Sequence, residues 1–168
     1  MFMTRQMGGR ARASRTVLAA MFLAVLALLG GCGSKSGAVE IKDARVVLPP
    51  PGGMMAAGYM HVRNGTGEPV WLTAAQVTGF GKTDMHENRM ESGMMRMREV
   101  AEVEVPSGQS VVFEPGGLHL MLSQPDESVS FGTSSLLTLS VRDAAGAVRE
   151  FSANVAVQSM GMEKHAHH

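Results

Sequence analysis

Four residues in the middle of the chain have the types and the spacing of a metal site. His86, Met97, His119 and Met121 fall at the spacing H-x10-M-x21-H-x-M. Imidazole and thioether groups suit soft ions such as Cu(I), whereas Mg²⁺ and Ca²⁺ bind oxygen ligands. Neutral imidazoles and thioethers add no negative charge, which favours a monovalent ion over a divalent one. The four residues therefore predict a Cu(I) site.

The same residues argue against other metal sites and against catalysis. Structural zinc is bound mostly by Cys, His and carboxylate groups, and a blue copper site requires a cysteine ligand. Cys32 is the only cysteine, and it lies far from the motif, near the N-terminus. The sequence shows no pairing of a nucleophile with a base and no phosphate-binding loop. We expect a metal-binding protein that is not an enzyme.

The N-terminal segment has the pattern of an export signal. A basic region at Arg5–Arg15 is followed by an apolar run, Val17–Leu29, that has the length of a signal core rather than of a membrane span. The run ends in Leu-Gly-Gly followed by Cys32, which resembles a bacterial lipobox. We predict that residues 1–31 are a signal peptide of the lipoprotein type and that Cys32 is lipidated; the alternative is an ordinary secretory signal with a stray cysteine.

Export places the protein in the cell envelope, facing the periplasm and tied to a membrane by acyl chains. Gly33 follows the cysteine where an aspartate would favour inner-membrane retention, so the outer membrane is slightly favoured. The signal contains four of the 15 basic residues and no acidic residue, which leaves 11 basic and 15 acidic residues. This acidity argues against nucleic acid as a partner.

After a short tether, residues 32–38, short segments rich in β-branched residues alternate with turn signals such as Asn64-Gly65 and Pro115-Gly116-Gly117. No segment has the periodicity of an amphipathic helix. The sequence predicts one all-β domain, a sandwich or barrel over residues 39–157, followed by a flexible tail, residues 158–168. The predicted strands are Val39–Leu48, Ala56–Arg63, Val70–Val77, Thr83–Glu87, Met94–Glu99, Ala101–Val105, Val111–Glu114, Leu118–Ser123, Ser134–Arg142 and Val148–Val157.

The geometry of a β-hairpin brings the motif residues together. If the hairpin turn is centred between Glu91 and Ser92, His86 lies directly opposite Met97. His119 and Met121 stand two residues apart on a strand and therefore share a face. Two ligands from the hairpin and two from another strand can then converge on one ion.

The remaining methionines and the single tryptophan are expected in the core or as weaker candidates for ligands. Met95 faces the same way as Met97 and is an accessory candidate that could replace it, whereas Met94 faces the opposite way and is expected in the core. Trp71 is also expected in the core. Met60 and His61 are weaker candidates for ligands.

The tail contains a second group of soft ligands. It resembles a flexible metal-collecting arm, with Cu(II) as a candidate ion besides Cu(I). The alternatives are a solvated terminus and a remnant of cloning. The candidate accessory ligands of the tail are Met160, Met162, His165, His167 and His168.

The spaced motif and its surroundings resemble the periplasmic copper chaperone family PCu(A)C. The similar stretches are AAGYMHVRN, MESGMMRMREV, VPSGQSVVFEPGGLHLML and LLTLSV, and the resemblance runs from Val39 to Val157. It implies a cupredoxin-like Greek-key β-sandwich in which His86, Met97, His119 and Met121 bind Cu(I). It also implies delivery of copper to the binuclear centre of cytochrome c oxidase, with a subunit of that enzyme or a Sco-type chaperone as acceptor.

One departure from the family is the polar segment SQPDESVSFGTS after Met121, which bears on partner docking rather than on the metal. We therefore predict an exported Cu(I) chaperone that passes its ion on by ligand exchange. Two alternatives remain open: an envelope copper buffer or resistance protein, and an envelope interaction module whose methionine-rich face meets a partner rather than a metal.

Overall fold

The computed structural model describes residues 37–160 of the chain, which fall within the unit Ser36–His168. This range contains ten β-strands and no helix, and in particular none long and apolar enough to cross a membrane. The predicted signal peptide, Cys32 and the tail residues beyond 160 lie outside the described residues. The strands are β1 (Val39–Leu48), β2 (Met55–Asn64), β3 (Val70–Val77), β4 (Phe80–Glu91), β5 (Met94–Glu99), β6 (Val103–Val105), β7 (Ser110–Phe113), β8 (Leu118–Pro125), β9 (Ser134–Asp143) and β10 (Val148–Ser159).

The strands form because apolar and polar residues alternate along them. In β9, for example, Leu137, Leu139 and Val141 are buried while the residues between them are more exposed. Side chains alternate across a strand, so each such strand has one face in the core. The prediction of an all-β domain is confirmed.

All ten strands belong to one sheet, in the order β5-β4-β8-β7-β2-β1-β10-β9-β3-β6. β2 pairs with β7 along its second half and with β8 along its first half, and β1 is parallel to β10. Buried residues from distant strands, such as Leu120 and Leu122 of β8 and Leu139 of β9, form one hydrophobic cluster. The sheet therefore folds over a single core.

The predicted boundaries of β1 and β3 agree with the structure, and the largest difference is in β4. The prediction placed this strand at Thr83–Glu87, whereas β4 continues on both sides, to Phe80 and Glu91. β10 extends two residues past the predicted end of the domain, because Gln158 and Ser159 pair with β1. These extensions result from backbone pairing with neighbouring strands. The local sequence pattern does not reveal that pairing.

Trp71 is not in the core, contrary to the prediction. It is half-buried in β3, and the guanidinium group of Arg142 lies over its ring, 4.9 Å from the centroid. The core position belongs to the neighbouring residues of β3, Val70 and Leu72. The alternation of the strand therefore places the tryptophan on the outer face, where stacking of the arginine covers the ring.

The buried side chain of Asn64 fixes the corner after β2. Its amide nitrogen donates hydrogen bonds to the carbonyl oxygens of Glu68 at 2.8 Å and of Val105 at 2.9 Å. Its amide oxygen accepts hydrogen bonds from the backbone and the hydroxyl of Thr66. The predicted turn at Asn64-Gly65 is thus a buried junction between β2 and β6.

Candidate metal centre

The pairing of β4 with β8 places the two motif histidines side by side. His86 lies directly opposite His119, with the ring centroids 6.0 Å apart and the rings tilted by 35°. An imidazole nitrogen binds a metal at about 2.0–2.1 Å, so two rings that share one ion have centroids roughly 5–6 Å apart. The observed pair is close to that separation.

The hydrogen bonding of the two rings leaves ligand nitrogens available. His119 Nδ1 lies 3.1 Å from the carbonyl oxygen of Gly117, which makes Nδ1–H the donor and leaves the lone pair on Nε2. His86 Nδ1 is buried and has no hydrogen-bond partner among the described residues. A buried nitrogen without a partner destabilises a fold by about 1–3 kcal/mol, and a bound metal ion would satisfy it.

Met121 belongs to the same face of β8 as His119. Leu120 and Leu122, which alternate with these two residues, are fully buried in the core, so the motif residues face the other side of the sheet. There a shallow groove of about 240 Å³ opens on the surface. It is lined by Met55, Ala56, Ala57, Tyr59, Asn88, Met97, Gly116, His119 and Met121.

Met97 reaches this face in a register that differs from the prediction. β5 pairs with β4 so that Met97 lies opposite Asn88, and Glu99 lies opposite His86. The reason is the tight two-residue turn at Ser92-Gly93, where both residues have positive φ, 51° and 81°. His86 and Met97 are therefore diagonal neighbours on one face, roughly 7–8 Å apart and within reach of long side chains.

The four motif residues consequently surround one region of the surface. The two histidines lie at its centre, Met97 lies towards the hairpin turn, and Met121 lies in the opposite direction along the strands. An ion held by the imidazoles would have a thioether on either side. Three of the four residues line the groove, and His86 adjoins it through His119.

The other methionines near the hairpin turn, Met90, Met94 and Met95, are all exposed. Met95 lies opposite Met90, on the same face as Met97. Met94 faces the opposite way, as predicted, but it is 55% exposed and does not lie in the core. The prediction failed because every residue of β5, the edge strand, is exposed, so that both faces of the hairpin meet solvent.

Met55 is a thioether of the site that the sequence did not single out. It lies on β2 opposite Ser123 of β8 and lines the groove beside Met97 and Met121. Alternation along β2 places it on the face of Ala57 and Tyr59. Only the pairing of β2 with β8 brings it to the motif, and no local feature of the sequence indicates that pairing.

The weaker candidates lie elsewhere in the fold. Met60 and Met85 are buried in the core. His61 Nδ1 lies 3.2 Å from the Asp43 carboxylate on an exposed surface. Of the tail candidates, Met160 is exposed just after β10, and the others lie outside the described residues.

Along β4, the charged residue nearest to His86 on the same face of the strand is already paired. Asp84, two residues before His86, forms an ion pair of 2.7 Å with Lys82. The hydrogen bond and the charge of this carboxylate raise the pKa of Lys82 above its ordinary value. Residues 37–160 contain no cluster of three or more His, Cys, Asp or Glu side chains suited to a metal. The donors of the candidate site are thus two imidazoles and several thioethers, with the Glu99 carboxylate opposite His86 at its edge.

The fold is shared with copper-binding domains. The copper-bound PCuAC domain from PmoF2 matches 74% of this chain and 95% of its own length, with 22% identity and a TM-score of 0.58. The solution structure of Cu(I)-DR1885 from Deinococcus radiodurans matches 76% of this chain and 83% of its own, with 20% identity and a TM-score of 0.57. The expected single cupredoxin-like domain is therefore confirmed, and so is the resemblance in fold to PCuAC domains.

The sequence also matches a family model. Residues 39–153 match the family described as "Putative lipoprotein LpqE-like", and the chain belongs to this LpqE-like family. No curated protein matches the chain.

Proposed function

We propose that this protein is an exported metallochaperone that holds one Cu(I) ion between His86, Met97, His119 and Met121 and passes it to an acceptor. The observation that carries the proposal is the histidine pair: two adjacent imidazoles, one of which has a buried nitrogen without a partner. Soft thioethers on either side complete a ligand set suited to Cu(I). Copper is bound in the similarly folded PmoF2 and DR1885 structures, which supports the same cargo here.

Transfer proceeds by ligand exchange. Met97 is the ligand that leaves first, because it lies on the exposed edge strand and is itself 49% exposed. His119 is only 7% exposed, and Met121 lies on a strand paired on both sides. An acceptor's ligand can therefore replace the outer thioether while the histidines still hold the ion, and no unfolding is required.

The experiment is an anaerobic titration of the full chain with Cu(I) in competition with a chromophoric chelator. Met97→Leu and His119→Leu are expected to lower the affinity of the first equivalent by at least about tenfold, or 1.4 kcal/mol. Met94→Leu is the matched control, since Met94 is equally exposed but on the other face of the same strand. Unchanged binding in both motif variants would refute the proposed site.

The acceptor in this proposal is the binuclear copper centre of cytochrome c oxidase, reached directly or through a Sco-type chaperone. Loss of the protein should then lower oxidase activity under copper limitation, and copper supplementation should restore it. A buffer, by contrast, would leave oxidase assembly intact while lowering copper tolerance. An interaction module would bind no Cu(I) at the motif.

We further propose that Cys32 carries the lipid that anchors the protein to the envelope, in keeping with the description of its family. Mass spectrometry of the membrane-extracted protein should find acyl groups on the peptide that begins with Cys32. Cys32→Ser should release the protein from the membrane fraction. Membrane retention of an unacylated chain would contradict this anchor.

A further inference from the structure

The β4–β5 hairpin places most of its charges on one face and most of its thioethers on the other. Alternation across the paired strands assigns each residue of the hairpin to one of two faces. Apart from Glu99 at the base, the motif face has no charge. That face consists of His86, Asn88, Met90, Met95, Met97 and Glu99, and the opposite face consists of Glu87, Arg89, Glu91, Met94, Arg96 and Arg98.

The charged residues of the opposite face form ion pairs with one another. Glu91 lies 2.7 Å from Arg98 and 3.9 Å from Arg96, and Glu87 lies 3.2 Å from Arg89. Exposed ion pairs of this kind contribute little stability. They keep the arginines away from the motif face, so a cation that approaches its thioethers meets no repelling charge on the same face.

The thioethers of the motif face lie within reach of one ion. Met90 is directly opposite Met95, which places their Cβ atoms about 4.5–5.5 Å apart. Met97 follows Met95 by two residues and shares its face. Met90 and Met95 are 62% and 59% exposed, so these side chains do not contribute to the core and their sulfur atoms are accessible.

We propose that Met90, Met95 and Met97 form a second Cu(I) site, composed only of thioethers, that shares Met97 with the histidine site. The proposal rests on the function proposed above and adds a place where the ion enters before the histidines bind it. It assigns a role to two exposed methionines that neither the core nor the four-residue motif uses.

Movement between the two sites is a ligand exchange at constant oxidation state. The copper–sulfur bonds to Met90 and Met95 break as bonds to the His86 and His119 nitrogens and the Met121 sulfur form, while Met97 stays bound. No electron moves and no proton is required, because neutral imidazoles and thioethers bind through lone pairs. The histidine site fills first, because three of its four ligands, His86, His119 and Met121, lie on the internal strands β4 and β8 and need less ordering than exposed side chains of an edge strand.

The test is an anaerobic Cu(I) titration of the full chain labelled with ¹³C at the methionine methyl groups, followed by NMR. The first equivalent should shift the Met97 and Met121 methyl signals. The second equivalent should shift those of Met90 and Met95 and leave that of Met94 unchanged. Met94 is the internal control because it lies on the same strand as Met95 but on the other face.

The double variant Met90→Leu, Met95→Leu provides the second measurement. It should bind the first Cu(I) with unchanged affinity. The second equivalent of Cu(I) should no longer shift the Met97 methyl signal, whereas Met94→Leu should behave as wild type. Shifts of Met97 and Met121 without any shift of Met90 and Met95 would overturn the second site alone. The absence of shifts at Met97 and Met121 with the first equivalent would overturn the proposed function itself. If the Met90 and Met95 methyl signals shift only when an acceptor protein is added, and not with copper, these residues form a docking surface and the second copper site is refuted.

Discussion

Replacing His86 by leucine should stabilise the metal-free protein. His86 Nδ1 is buried without a hydrogen-bond partner, and such a nitrogen costs about 1–3 kcal/mol of folding free energy relative to an apolar group of similar shape. Leucine has nearly the volume of histidine and no polar atom to satisfy. We therefore expect His86→Leu to raise the free energy of unfolding of the metal-free protein by about 1–3 kcal/mol.

The matched control is His119→Leu, for which the structure predicts the opposite sign. His119 Nδ1–H donates a hydrogen bond to the Gly117 carbonyl oxygen at 3.1 Å. Loss of that bond should lower stability by about 0.5–1.5 kcal/mol. Both variants remove a motif imidazole, so both should weaken Cu(I) binding, and only their effects on stability should diverge.

The assay is urea denaturation of the metal-free full chain, with the same variants repeated at saturating Cu(I). In the metal-free state the two variants should differ by roughly 1.5–4.5 kcal/mol, with His86→Leu the more stable. With Cu(I), both variants should gain less stability than wild type, by at least about 1.4 kcal/mol for a tenfold loss of affinity, because a ligand that binds the native state alone stabilises it according to its affinity. A His86→Leu variant that is less stable than wild type without metal, or that gains as much as wild type from copper, would refute this reasoning.

Three further predictions concern the framework and the selectivity of the site. Asn64→Asp should lower stability by about 3–5 kcal/mol in urea denaturation, because a carboxylate cannot donate to the Glu68 and Val105 carbonyl oxygens that the amide now satisfies; a loss below 1 kcal/mol would contradict it. Gly93→Val should destabilise the hairpin by about 1–2 kcal/mol, since its φ of 81° is unfavourable for a β-branched residue. Hydrogen exchange of the β5 amides should report this as lost protection, and unchanged protection would argue against the two-residue turn. Met55→Leu should change the affinity for the first Cu(I) by less than about threefold, or roughly 0.6 kcal/mol, because the motif already supplies four ligands; a tenfold loss would add Met55 to the ligand set.

Alternation and turn residues were sufficient to predict most of the fold. The bounds of β1 and β3 were predicted correctly because each strand is rich in β-branched or apolar residues and ends at a marked turn. β4 was predicted too short because Gly81, Lys82 and Asn88 near its ends are not typical of strands, and these ends are held by pairing with β5 and β8. Long-range pairing of this kind has no local signature in the chain.

The residues of the candidate site could be predicted from the sequence, but their positions relative to one another could not. The spacing of two histidines and two methionines identified the residues, and alternation placed His119 and Met121 on one face. The hairpin register was wrong by two residues, because the turn is centred between Ser92 and Gly93, one residue later than predicted. The direct opposition of His86 and His119 depends on which strands are neighbours, and so does the approach of Met55.

The most direct test of the account is the copper K-edge X-ray absorption spectrum of the full chain loaded anaerobically with one equivalent of Cu(I). The account predicts a mixed shell of nitrogen at about 2.0 Å and sulfur at about 2.3 Å, with the nitrogen contribution reduced in His86→Leu and the sulfur contribution reduced in Met97→Leu. A shell composed only of sulfur, or only of nitrogen and oxygen, would contradict the joint binding of one ion by the paired imidazoles and the flanking thioethers.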